Sequence, residues 1–198
     1  MAALEIKPVV LEGNHVRLEP MTEAHVPGLA EIGVGQTFWD FMLYGNMETE
    51  TDMRNWVRDI VTRAGRGTDL PFVVIHLASG RIAGATRYLN IMPKDKGLEI
   101  GGTWYGVDFQ RTAVNTECKY LLLTHAFETL GCIRVQIKTD SLNLRSQRAI
   151  ERIGAVKEGV LRNHMILPTG RIRHSVYYSI INSEWPEVKK RLSEMLAQ

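Results

Sequence analysis

One stretch near the middle of the chain, Gln110-Arg111-Thr112-Ala113-Val114-Asn115-Thr116-Glu117, has the makings of an anion site. An apolar segment ends just before it at Tyr105, and helical spacing of apolar residues begins with it. The first turn of a helix offers backbone N–H groups without intrahelical acceptors, together with the positive end of the macrodipole. A pyrophosphate docks well in such a place. Arg111 adds a charge, and Thr112 and Thr116 add hydroxyl donors. Two further places could carry chemistry. His174 is one, since an imidazole suits proton transfer. Asn143 opens a short helical pattern, where Asn is a favoured N-cap, and Ser146 follows one turn later on the same face. A serine there also has a purely structural use, bonding back to the preceding turn.

Charge distribution fits a polyphosphate ligand. Residues 1–60 carry ten Asp and Glu against four Lys and Arg, whereas residues 131–174 carry nine Lys and Arg against three acids. A basic half suits phosphates and an acidic half suits a cationic amine; segregated solvated faces give the same pattern. The formal net charge is only +2. Cys118 and Cys132 are too few for a disulfide framework and fall at apolar positions, so they read as packing residues. The six histidines have no metal-ligand spacing, and no metal is expected. No apolar run approaches the ~20 residues that cross a bilayer. The start, Met-Ala-Ala-Leu-Glu-Ile-Lys-Pro, lacks the pattern of a secretion signal, so the cytoplasm is the expected compartment.

The elements that would hold these residues follow from periodicity. HVRLE at 15–19 alternates as a half-buried strand does. Thr22 is a candidate cap for a helix through Leu29 and Ile32, and 48–63 reads as a second helix with Met53, Trp56, Val57 and Ile60 on one face. Strands are expected at 71–78, 82–91 and 98–105, then a long helix over 112–130 stopped by Gly131. A strand at 132–139, a short helix at 143–153, a hairpin of 156–165 with 172–181, and a helix at 184–196 complete the chain. This order predicts one α/β (α+β) domain over 1–198 with mixed strand directions, and 98–139 as a parallel β-α-β unit. In such a unit the ligand belongs at the strand C-terminal end, beside the helix N-terminus.

The segment resembles the acetyl-CoA signature of the GCN5-related N-acetyltransferase (GNAT) superfamily. That signature is (Gln/Arg)-x-x-Gly-x-(Gly/Ala), followed by Thr-Glu in the RimJ/RimL-type branch. The chain reads Gln110-x-x-Ala113-x-Asn115, then Thr116-Glu117, departing at Ala113 and Asn115. Downstream, Ala126-Phe127-Glu128-x-Leu130-Gly131, Arg134-Val135, Asn143-x-x-Ser146-x-x-Ala149-Ile150-x-x-Ile153-Gly154-Ala155, Glu158-Gly159-x-Leu161-Arg162 and Gly170-x-x-Arg173-x-x-x-x-Tyr178 resemble the same branch in order and spacing. The match is close over residues 98–182.

The resemblance implies a GNAT-like sheet, mostly antiparallel, with flanking helices, and transfer of the acetyl group of acetyl-CoA to a primary amine. The acceptor would be a small molecule or a protein N-terminus, and a homodimer is common in such families. It implies cofactor contacts from Thr103, Trp104, Tyr105, Gln110, Arg111, Thr112, Ala113, Val114, Asn115, Thr116, Asn143 and Ser146. Asn143 matches an asparagine that contacts the pantetheine arm, and the Tyr105 backbone N–H would polarise the thioester carbonyl. Glu99 matches the usual carboxylate base, with His174 as a second candidate where aspartate is common. Many members protonate the leaving thiolate with a tyrosine; Ile150 stands there, and Ser146 takes the role instead. Phe38, Trp39 and Tyr44 fall where the acceptor loop is built, and they equally suit a core; His125 and Trp56 read as structural.

The departures at Ala113 and Ile150 keep open a CoA-binding protein with little or no catalysis. A dinucleotide oxidoreductase would need G-x-G-x-x-G and its ribose carboxylate, both absent. Nucleic-acid binding would need a pI above ~9 and a recognisable module, and the sequence pI is about 8.6.

Overall fold

The alternating HVRLE segment forms a strand, β2 (Val16–Pro20), with Val16 and Leu18 fully buried and their neighbours part-exposed. A two-residue partner, β1 (Leu11–Glu12), precedes it. It was not legible, since two residues carry no period. The computed structural model describes residues 4–198. The remaining strands are β3 (Leu70–His76), β4 (Ile82–Met92), β5 (Gly97–Tyr105), β6 (Arg134–Asp140), β7 (Val156–Ile166) and β8 (Ile172–Ile181). They form one sheet in the order β1-β2-β3-β4-β5-β6-β8-β7. Every neighbouring pair is antiparallel except β5 and β6, which run parallel as the β-α-β reading requires. The mixed α/β fold class is therefore as expected.

Among the described residues, five α-helices cover the two faces. On one face α1 (Val26–Gly33) and α2 (Glu50–Gly65) close over Trp39, Trp56 and Trp104. The α2 start is a capping box: Thr49 Oγ1 accepts the Asp52 amide, and Asp52 accepts that of Thr49. On the other face α3 (Ala113–Thr124) and α5 (Trp185–Leu196) cover a core of Tyr88, Leu98, Ile100, Leu122 and Val135. α4 (Leu144–Arg152) follows β6 directly.

Two readings need correction. The helix expected over 112–130 is α-helical only to Thr124; His125–Thr129 continues it as one wider π-type turn, with Leu130 N donating to His125 O. The helix capped by Thr22 begins as a single 3-10 turn at Glu23–His25 before α1. Pro27 explains the break: it lacks the N–H that would extend the earlier turn.

Candidate active site

The two parallel strands part company. β5 and β6 pair only at Gly97↔Arg134, Leu98↔Val135 and Glu99↔Gln136, and both run on unpaired to Tyr105 and Asp140. A register shift between Ala85 and Arg87 marks a bulge in β5, where Gly102 takes φ +59. A bulge bends and twists its strand, which carries β5 away from β6. Glycine suits Gly102 because it accepts that φ without strain, and a Cβ there would also crowd Arg87 Nε at 3.1 Å. The opening is a cavity of about 540 Å³. The Gly106 amide donates to Ala83 O, so the Tyr105–Gly84 pair is of the non-hydrogen-bonded kind. Tyr105 therefore turns its backbone N–H and C=O toward the gap. Gln110 Nε2 donates to that C=O at 2.8 Å.

At one end the cavity meets the start of α3. Thr112 is the N-cap and its hydroxyl accepts the Val114 amide, which leaves the Ala113 and Asn115 amides without intrahelical acceptors. Neither Ala113 nor Asn115 has a positive φ; Arg111 carries it instead, at +61. A methyl at Ala113 therefore costs the loop nothing in backbone strain. Gln110, Arg111, Thr112 and Asn115 line the cavity, and Arg145, Arg152 and Lys119 stand around them. Asn143 and Ser146 line it from α4. Asn143 is the N-cap, its Oδ1 accepting the Ser146 amide at 3.0 Å, and its side-chain N–H groups remain for a second partner. Lys119 is nearly buried and donates to Thr103 Oγ1 at 3.1 Å, and burial pushes its pKa down to about 8.

At the other end stands Glu99, the one carboxylate of the lining, 2% exposed. Its Oε2 accepts from Asn90 (2.8 Å), Gln136 (2.9 Å) and Lys138 (3.2 Å). Its Oε1 points along β5 toward Gly101, whose missing Cβ would stand 3.1 Å from it. The segment Thr37–Phe41, a 3-10 turn, covers this end. The β7–β8 hairpin pins it: Arg173 Nη1 donates to Phe41 O at 3.0 Å, and Arg171, bonded to Asp140 at 2.6 Å, reaches Asp40 O at 3.4 Å. Tyr44 and Arg87 are hydrogen-bonded on the wall, and burial raises the Tyr44 pKa.

Most of the expected site residues converge. Glu99, Thr103, Trp104, Tyr105, Gln110, Arg111, Thr112, Asn115, Asn143 and Ser146 all line the one cavity. His174 does not. It alternates with Arg173 and Ser175 along β8 and faces the other way, its Nδ1 accepting the Asn163 amide at 2.8 Å within the β7–β8 hairpin. Ala113, Val114 and Thr116 lie outside the lining; Val114 is core, and Thr116 accepts Arg152 Nη2 at 3.0 Å. Among the aromatics, Trp39 is core and bonds Gly33 O, while Phe38 and Tyr44 reach the cavity. Cys118 and Cys132 are buried, with thiols pushed up to about 12 and about 11, as packing residues should be. His125 stacks on buried Tyr88, and Trp56 belongs to the tryptophan cluster. Sequence reasoning missed Arg87, Lys119, Lys138, Arg145, Arg152 and Arg173. Only Arg173 was a named position of a noticed motif, and its parity with His174 on β8 was the signal available.

An acyl-transfer site fits this arrangement: an anion end, a carboxylate end and a strand gap between them. Residues 15–156 match the family described as Acetyltransferase (GNAT) domain. The chain is 30% identical over 136 residues to YdaF of Bacillus subtilis (strain 168), provisionally named a ribosomal N-acetyltransferase, covering 69% of this chain and 70% of that one. A solved structure from T. thermophilus, provisionally described as an acetyltransferase, is 37% identical with a TM-score of 0.88, over 97% of this chain and 99% of that one. A GCN5-related N-acetyltransferase from Brucella melitensis is 28% identical with a TM-score of 0.91, over 98% and 88%. The chain is an acyltransferase and belongs to the GNAT acetyltransferase family, in keeping with its RimJ/RimL-type motifs.

Proposed function

We propose that the chain transfers the acetyl group of acetyl-CoA directly to a primary amine. The observation that carries this reading is the single cavity joining the α3 N-terminus to Glu99 through the gap between β5 and β6. The residues present fit the cofactor. The free amide of Asn115, with Arg111, Arg145 and Arg152, suits its phosphates, and Asn143 suits the amide of its pantetheine arm. When bound, acetyl-CoA supplies an activated acetyl thioester.

The chain's own groups then divide the labour. The Tyr105 N–H, turned into the gap, is aimed as a donor to a carbonyl oxygen. Glu99 Oε1 is the acceptor for the proton that the attacking amine loses, directly or through one water, while three donors hold Oε2 still. Ser146 supplies a hydroxyl proton toward the leaving sulfur, in place of a tyrosine where Ile150 stands. His174, turned out of the cavity, takes no part. The name of the Bacillus relative supports an amine acceptor, a ribosomal one included.

The test is a thermal shift with acetyl-CoA, CoA and NAD, followed by thiol release with an amine panel. At 100-fold excess over Kd, acetyl-CoA adds ~2.7 kcal/mol, or a rise of about 5–10 °C for a chain of this length. NAD gives none. A shift without thiol release from any amine would instead support a CoA-binding protein that no longer catalyses, the reading that Ile150 motivates. No shift with acetyl-CoA ends the acetyltransferase reading.

A further inference from the structure

Arg87 is a buried charge with work left to do. It is 5% exposed and lines the acceptor end of the cavity. Its Nη2 is engaged with the Tyr44 hydroxyl, and its Nε lies 3.3 Å from Asp69 Oδ2, close enough for an ion pair but not aligned as a hydrogen bond. That leaves Nη1 buried and without a hydrogen-bond partner. A buried guanidinium N–H left unmade is expensive, so such a group in a ligand cavity is poised for an acceptor atom.

The sheet register sets Arg87 beside Glu99. Arg87 pairs with Gly101 and Leu89 with Glu99, so Arg87 and Glu99 are diagonal neighbours on one face, with Cα atoms about 7–8 Å apart. Two adjacent glycines form the floor between them, with the Leu89 side chain beside it. A Cβ on Gly101 would stand 2.9 Å from Leu89 Cδ2 and 3.1 Å from Glu99 Oε1, and one on Gly102 would stand 3.1 Å from Arg87 Nε. The glycines thus leave only backbone between one carboxylate and one guanidinium with an unpaired N–H. The charges around that space weigh against a polycationic acceptor: Arg87, Lys138 and Arg173 line this end, with Glu99 as the sole carboxylate of the lining.

We infer that Arg87 is the residue that reads the acceptor: Nη1 takes a carboxylate or carbonyl oxygen of the same molecule whose amine lies at Glu99. The site selects amines that carry such an oxygen on the neighbouring carbon, as an α-amino acid or the first residue of a peptide does. This rests on the acetyl-transfer reading above. The amine nitrogen forms the new C–N bond as the acetyl C–S bond breaks; the amine proton leaves toward Glu99, and the sulfur takes the Ser146 hydroxyl proton to depart as the thiol of CoA, Ser146 being reprotonated from solvent.

The experiment measures kcat/KM by thiol release for L-alanine, L-alaninamide, an alanyl dipeptide, ethylamine and spermidine, with wild type and R87K. Ethylamine lacks only the carboxylate of alanine. Wild type is expected to prefer the best oxygen-bearing acceptor over ethylamine at least tenfold, and R87K to reduce that ratio at least tenfold. Alanine against the dipeptide tells whether a free carboxylate or a peptide carbonyl is the oxygen read. A purely structural Arg87 would lower both rates in step and keep the ratio, which overturns the inference. So does equal use of ethylamine or spermidine by wild type, or no turnover of any of these amines by protein that still shows the acetyl-CoA thermal shift. Should R87K not fold, Y44F, which releases Nη2 as well, must change the same ratio. Absence of the acetyl-CoA shift in wild type is the separate failure of the acetyl-transfer reading.

Discussion

At the scale of single residues, Lys119 shows how the cavity strains the chain that forms it. Its ammonium is buried beside the Thr103 and Thr86 hydroxyls, which lie 2.7 Å from each other. Burial lowers its pKa from 10.5 to about 8, so below pH 8 the folded state carries the full cost of a buried charge. Between pH 8 and 10.5 the unfolded chain holds this proton and the folded one does not, so stability rises with pH across that window. Lys119→Met should raise Tm at pH 7 by several degrees, with an upper bound of about 3 kcal/mol, and should flatten the rise between pH 8 and 10.5. A rise that persists unchanged in the variant would assign the titration to another group. Legibility at this scale divided by local context. Gln110 to Thr112, Asn143 and Ser146 announced themselves because helix starts have a local chemistry. Arg87 and Lys119 did not, because an arginine in a strand and a lysine in a helix are ordinary surface residues until the tertiary fold buries them.

At the scale of elements, α3 is positioned by Glu117. Its carboxylate accepts the backbone amides of Asn14 (2.9 Å), His15 (2.6 Å) and Val16 (2.7 Å), tying the helix to the turn that leads into β2. Gly13 makes room for it, since a Cβ there would lie 2.5 Å from the carboxyl carbon. The Thr116-Glu117 pair that stands out as a signature in the sequence therefore braces the start of α3, Thr116 through Arg152 and Glu117 through the turn before β2. Glu117→Ala strands three amides and should cost about 3 kcal/mol or more; Glu117→Gln, still an acceptor, should cost clearly less. Urea unfolding of the two variants checks this, and equal, small losses would mean that the amides find other partners. Most of the elements were legible within one or two residues, because their apolar periods run for five residues or longer. The parallel pair β5–β6 was legible from connection logic, but its splaying was not: the bulge at Gly102 depends on which β4 residue lies opposite.

At the scale of the whole molecule, the segregated charge of the sequence resolves into an unequal arrangement. The basic segment 131–174 supplies Lys138, Arg145, Arg152 and Arg173 to the cavity wall. The acids of the first sixty residues do not answer them across it. They are spent on surface pairs such as Glu23 with Arg58, Glu31 with Arg81 and Glu50 with Arg54. The expectation that an acidic half would receive a cationic amine thus gives way to a cavity lined by seven Lys and Arg side chains and the lone carboxylate Glu99. Low-dielectric walls focus such a field outward and draw a polyanion toward the α3 N-terminus. Exposed charges are screened within about 10 Å at 0.1 M salt and about 3 Å at 1 M. Acetyl-CoA affinity should therefore weaken about tenfold or more between 0.05 and 0.5 M NaCl, measured by titration calorimetry. Arg145→Gln and Arg152→Gln should each shallow that dependence, since each removes one cation from the phosphate end. An affinity indifferent to salt would mean that pantetheine contacts along the strand gap, and not the basic rim, hold the cofactor.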